Sequence, residues 1–142
     1  MRLDKKKMIA ATIVACTTLF IAIGIHEKKD TRKQLKFGAT YMTMNNTFYK
    51  VVNNEIENVV NNHGDVLYTR DPALDPKKQN EQIKDLVSLG IDVLIINPVE
   101  SSSINKTLKE VKKAGIKIIV VDAPISDDQI ADCTVVSDNY DA

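Results

Sequence analysis

The sequence predicts an α/β fold, a doubly wound parallel sheet, behind one apolar N-terminal segment long enough to cross a membrane as a helix. Three times a glycine runs at once into an apolar stretch: Gly64-Asp65-Val66, Gly90-Ile91-Asp92-Val93 and Gly115-Ile116-Lys117-Ile118. Helices that end on a left-handed glycine and feed a strand leave this trace. The runs Val93-Leu94-Ile95-Ile96 and Ile118-Ile119-Val120-Val121 are continuously apolar, as parallel strands buried on both faces are. Met8 to Ile25 is 18 residues without a charge, about 27 Å as a helix against a hydrocarbon core of about 30 Å.

The formal net charge of zero conceals unlike pieces. Residues 1–7 carry +3, residues 8–25 nothing, residues 26–34 +2, and residues 35–142 therefore −5. We expect residues 1–7 as a cytoplasmic basic tail, 8–25 as a transmembrane signal-anchor, 26–34 as a linker and 35–142 as an extracytoplasmic domain. Two alternatives stay open for the apolar run, a cleaved signal sequence and a lipoprotein signal with Cys16 as the lipidated residue. The acidic domain lacks the surplus of Lys and Arg that phosphate binding requires, so a nucleic-acid partner is excluded.

Along the domain, Leu35 to Thr43 alternates weakly and reads as a strand. Thr47 to Asn62 places Phe48, Val51, Val52, Ile56, Val59 and Val60 at helical spacing, and Gly64 stops it. Asp65 to Thr69 is the second strand. Asp75-Pro76 opens the second helix as N-cap and first helical residue, and Gly90 ends it. Val93 to Ile96 is the third strand. Ser101 to Ser103 offer hydroxyl caps for a helix with Ile104, Leu108 and Val111 on its buried stripe, closed by Gly115 before the strand Ile116 to Val121. A last strand covers Thr134 to Val136, with Cys133 expected as a small buried residue beside it. Such alternation requires right-handed crossovers and helices on both faces of the sheet.

An open sheet of this kind takes its ligand at the carboxyl ends of its strands. The residues there are Asn45-Asn46-Thr47-Phe48-Tyr49, Arg70-Asp71, Asn97-Pro98 and Asp122-Ala123-Pro124. They contain no glycine-rich phosphate cradle, nucleophile elbow or metal-binding histidine pair, so neither an enzyme, a cofactor nor a metal site is expected. Amides, a carboxylate and aromatic faces instead suit a neutral polyhydroxylated ligand.

The segments Thr43-Met44-Asn45-Asn46-Thr47-Phe48-Tyr49, Asp75-Pro76-Lys77-Lys78-Gln79, Ile83-Lys84-Asp85-Leu86, Ile95-Ile96-Asn97-Pro98-Val99, Val120-Val121-Asp122 and Val136-Ser137-Asp138-Asn139 resemble the first lobe of the type I periplasmic sugar-binding proteins, in particular the ribose-binding family. The resemblance covers residues 35–142 and implies a flavodoxin-like lobe of a two-lobed clamshell. It implies sugar binding for an ABC importer and its permease, or as the sugar-sensing partner of a membrane histidine kinase. Carried over by position, the ligand residues are Asn46, Phe48, Tyr49, Asn97 and Asp122. Ala123 stands where the ribose-binding pattern has an arginine, which argues against ribose itself, and Arg70 is a conceivable but displaced substitute. The lobe is expected to be truncated, with the second wall of the cleft missing; a non-binding remnant is the third reading.

Overall fold

The computed structural model describes residues 32–136. The tail, the apolar run at 8–25 and most of the linker lie outside them, as does Ser137-Asp138-Asn139. Among the described residues no helix is long and apolar enough to cross a membrane. In chain order the elements are β1 (Lys36–Thr40), α1 (Thr47–Asn62), β2 (Val66–Arg70), α2 (Pro76–Ser88), β3 (Val93–Ile96), α3 (Asn105–Lys113), β4 (Lys117–Val121), a 3-10 turn (Asp128–Ile130) and β5 (Cys133–Val135).

The strands form one parallel sheet in the order β2-β1-β3-β4-β5. The chain first steps outward from β1 to β2, then returns past β1 to β3 and continues outward on the other side. Right-handed crossovers therefore put α1 on one face and α2 and α3 on the opposite one, with the switch point between β1 and β3.

The two faces are unequally covered. Beneath α2 and α3, Ile83, Leu86, Leu108 and Val111 pack on Leu94, Ile96, Ile118 and Val120, all of them buried. On the other face α1 presents Tyr49, Val52 and Ile56, and the sheet residues Phe37, Leu67, Val93, Ile119 and Val121 remain half-buried. The expectation of helices on both faces holds, with α1 on one and α2 and α3 on the other, and the α1 side is the less completely buried of the two. Cys133 corrects an expectation: it is exposed, because among the described residues β5 is the outer strand, with β4 on one side of it.

Local chemistry explains the element ends. β1 stops at Thr40, short of the expected Thr43, because the Met42 amide donates to the Asn97 side chain and its carbonyl accepts from Leu74 instead of a neighbouring strand. Asp75 caps α2 as expected, accepting from the amides of Lys77 and Lys78. The serines do not cap α3: Ile104 occupies that position without a side-chain cap, and the Ser103 hydroxyl donates to the Glu100 carbonyl. Here the turn at 101–104 winds directly into the helix, so no extended residue is left to act as cap.

A recurring device trims the opposite edge of the sheet. Asp65 accepts from the Leu35 amide, Asp92 from the Lys36 amide and Asp132 from the Ile118 amide. Each carboxylate precedes one strand and accepts from an amide at the start of its neighbour, Leu35 just before β1, Lys36 as its first residue and Ile118 as the second residue of β4. The Ile118 amide, helped by the Lys117 ammonium at 3.1 Å, holds the Asp132 carboxyl below the usual carboxylate range.

Gly38 lets α2 approach β1. A Cβ there would lie 2.9 Å from Ile91 Cδ1 and 3.1 Å from Leu86 Cδ1. Gly38→Ala is therefore expected to destabilise the domain by about 1–3 kcal/mol through overpacking, read as a lower urea midpoint by circular dichroism. Because the Asp132 pKa is depressed on folding, its contribution is present above the unfolded carboxylate value near about 4 and is lost as pH falls. Asp132→Asn is expected to lower stability at neutral pH and to flatten the acid side of the stability-pH curve; equal slopes for the two proteins in acid would refute this.

Candidate functional site

The carboxyl ends of β1, β3 and β4 and the first turn of α1 meet at one rim. Asn46 has extended backbone angles and its carboxamide oxygen accepts from the Phe48 amide at 2.9 Å, so it is the N-cap of α1. The helix then carries Phe48 outward, 46% exposed, and Tyr49 inward, 6% exposed. The Tyr49 ring is held between aromatic neighbours, stacked on buried Tyr41 at 5.8 Å and in T-shaped contact with Phe48 at 5.3 Å. Its hydroxyl donates to Asp122 Oδ2 at 3.0 Å and lies 3.5 Å from the Met42 sulfur.

Asp122 is strained. It sits in the left-handed region at φ 67°, where a residue other than glycine costs of order 1–3 kcal/mol unless its surroundings hold it. They do: its amide donates to the Val135 carbonyl at 2.7 Å, and the Ala123 amide closes a three-residue turn onto the Val121 carbonyl at 2.8 Å. The turn lifts the carboxylate off the end of β4 toward α1. Burial, the bond to Asp122 and its charge together push the Tyr49 phenol up to about 12, and burial alone pushes Tyr41 up to about 12.

Asn97 is fully buried. Its side-chain oxygen accepts from the Met42 amide at 3.3 Å and its side-chain nitrogen donates to the Val121 carbonyl at 3.0 Å. It thus joins β1 to β4 across the end of β3. Gln79, also fully buried, reaches in from α2: its nitrogen donates to the Asn97 carbonyl at 3.0 Å and its oxygen accepts from the Val99 amide at 2.9 Å. Asp71 joins the loops after β1 and β2 by accepting from the amides of Met44 and Ala73. Gln79 and Asp71 are not among the ligand residues expected from the sequence; the place of Asp71 directly after a strand and of Gln79 in the first turn of a helix were the available signals.

The structure brings Asn46, Phe48 and Asp122 to the surface of the rim, with Tyr49 buried between Phe48 and Asp122 and Asn97 beneath them. Arg70 is not part of this group. It pairs in register with Thr40, whose hydroxyl faces Gln79 of α2, and its guanidinium donates to the Thr69 carbonyl. Beside Asp122 lies a cavity of about 290 Å³ lined by Phe48, Tyr49, Val52, Val121, Asp122, Val135 and Val136. Asp122 is its one charged residue. The described residues hold no cluster of His, Cys, Asp and Glu able to bind a metal ion.

This architecture, a parallel β2-β1-β3-β4-β5 lobe, gathers its polar groups at the switch-point rim, where doubly wound sheets take their ligands. Residues 37–142 match the periplasmic binding protein domain, and the chain belongs to that family. It is 28% identical over 108 residues to the ribose import binding protein RbsB of Bacillus subtilis, covering 76% of this chain and 35% of that protein. Over 138 residues it is 25% identical to the ribose import binding protein RbsB of Escherichia coli, covering 96% of this chain and 44% of the relative. The chain thus spans between a third and a half of the length of these relatives. Among solved structures, an ABC transporter solute binding protein from Mycobacterium smegmatis with bound glycerol superposes with a TM-score of 0.64 at 34% identity, covering 67% of this chain and 33% of the other. One from Clostridium phytofermentans with bound β-D-glucose superposes at 0.70 and 24% identity, covering 74% of this chain and 32% of the other, and supports the fold.

Asn97→Ala would orphan the Met42 amide and the Val121 carbonyl together, at about 1–3 kcal/mol for each buried group. The expected outcome is a loss of about 2–5 kcal/mol in chemical denaturation, before any ligand is added. Unchanged stability would show that the carboxamide is not needed as a clasp.

Proposed function

We propose that this chain is the sugar-recognising first lobe of an extracytoplasmic binding protein that serves an ABC importer, with the permease as its membrane partner. The observation that carries this reading is Asp122: a carboxylate on a strained backbone, raised from the end of β4 beside a half-exposed aromatic ring and a cavity. A carboxylate accepts hydrogen bonds from sugar hydroxyls, and the face of Phe48 covers the C–H face of a sugar ring. In this reading Asn46, Phe48 and Asp122 meet the ligand, and Tyr49 and Asn97 hold the rim in shape. The names of the relatives, which are import and solute binding proteins, support transport in place of catalysis and a location outside the cytoplasm. Membrane attachment through residues 8–25 is part of the proposal and follows from their hydropathy alone.

Ala123 narrows the ligand. A guanidinium at that position would contribute about 1.5–3 kcal/mol to a hydroxyl pair, and an alanine methyl contributes no hydrogen bond. Ribose itself is therefore a weaker candidate than another neutral polyhydroxylated ligand.

The test is ligand-observed NMR on the detergent-solubilised chain with D-glucose, D-ribose and myo-inositol at millimolar concentration. We expect weak binding, with glucose or inositol ahead of ribose, reduced about tenfold or more by Asp122→Ala and weakened by Phe48→Ala. No binding by a chain whose circular dichroism shows it folded, or binding untouched by both substitutions, would overturn the reading.

A further inference from the structure

We infer that Tyr49 is a positioning residue that acts on the ligand only through Asp122, which makes the Tyr49–Asp122 pair a two-part recognition element. The inference rests on the sugar-binding reading of the rim and goes beyond it by dividing the labour within the aromatic pair. The Tyr49 ring is stacked on Tyr41 and in T-shaped contact with Phe48. At 6% exposure it has little ring surface to offer, whereas Phe48 has 46%. Its hydroxyl is committed to Asp122 Oδ2.

For Asp122 the same bond is decisive. Its backbone is held by the Val135 carbonyl and the turn through Ala123, but no ion pair forms to its carboxylate among the described residues. Tyr49 is the group that fixes the carboxylate's rotation. With Oδ2 held by the phenol, Oδ1 is left to accept from a ligand hydroxyl. A carboxylate that rotates freely would have to lose that freedom when a ligand arrives; one already held by a buried phenol does not. Ala123 sharpens the dependence, since it brings no cation that could do the same work.

Three measurements on the 142-residue chain decide the matter. With tyrosine labelled with carbon-13 and the resonance assigned through Tyr49→Phe, the Tyr49 phenol is expected to titrate at about 12 and to move down in Asp122→Asn while Tyr41 stays at about 12. A Tyr49 titration that Asp122→Asn leaves in place would overturn the inference. In Tyr49→Phe, which keeps the ring and the fold, side-chain couplings of Asp122 are expected to change from one rotamer to an average over several; a retained single rotamer would overturn it. With D-glucose as probe, Tyr49→Phe is expected to weaken binding on the order of fivefold and to cost nothing further on an Asp122→Asn background. A loss that persists on that background would mean direct contact between Tyr49 and sugar and would overturn it as well. Should no sugar bind, the functional reading fails, and the first two measurements still decide whether Tyr49 holds Asp122.

Discussion

The rim depends on a clasp of two buried amides. A parallel sheet leaves the groups just beyond its carboxyl ends without ladder partners, and three such ends converge here from β1, β3 and β4. Asn97 ties the first to the last through the Met42 amide and the Val121 carbonyl, and Gln79 anchors Asn97 to α2. Each amide side chain has a donor and an acceptor in use, which is the condition under which a buried polar group supports a fold instead of weakening it. Everything placed at the surface is built on this layer. Met42 leads into the loop that starts α1 at Asn46, and Val121 leads into the strained turn at Asp122.

The unequal cover of the sheet bears on the same place. Under α2 and α3 the apolar residues of β3 and β4 are sealed, with Gly38 allowing α2 close contact. On the α1 side a single described helix lies over a sheet that continues past it to β5. The cavity beside Asp122 occupies that margin, walled by the start of α1 and the ends of β4 and β5. Its lining is valine and aromatic carbon apart from the carboxylate. Asp122 therefore stands where an apolar recess meets a polar rim, as the one charged group of the cavity lining.

Much of this was legible in the chain. The Gly-to-strand repeats marked all three helix ends, each glycine standing at positive φ, because a left-handed residue at a helix end is a local requirement that local sequence meets. Asp75-Pro76 announced its helix for the same reason. The serines at 101–103 misled, since a hydroxyl caps only when the backbone before the helix is extended, and there it turns. In the same repeats, the aspartates at 65 and 92 were visible but their role was not: a carboxylate that holds an amide at the start of a neighbouring strand reveals itself only when the neighbour is known. The five candidate site residues separate in the same way. Asn46 and Phe48 sit where helix capping and helical spacing put them. Asn97 and Tyr49 were read as facing a ligand, and it is packing from other elements that turned one into a clasp and the other toward Asp122.

From the sequence alone came the alternation of strand and helix, the parallel sheet, and the residue types gathered at the carboxyl ends of its strands, since these follow from periodicity, chain stops and the geometry of right-handed crossovers. Tertiary structure alone decided which of those residues face outward, that β5 leaves Cys133 exposed, and that Arg70 belongs to the other face. It also set Asp122 on a left-handed backbone within reach of a buried phenol 73 positions earlier in the chain. The physical reason is one of range: helix caps and glycine stops are settled within a few residues, whereas the burial of a side chain and the partner of a carboxylate depend on segments that meet only when the sheet has formed.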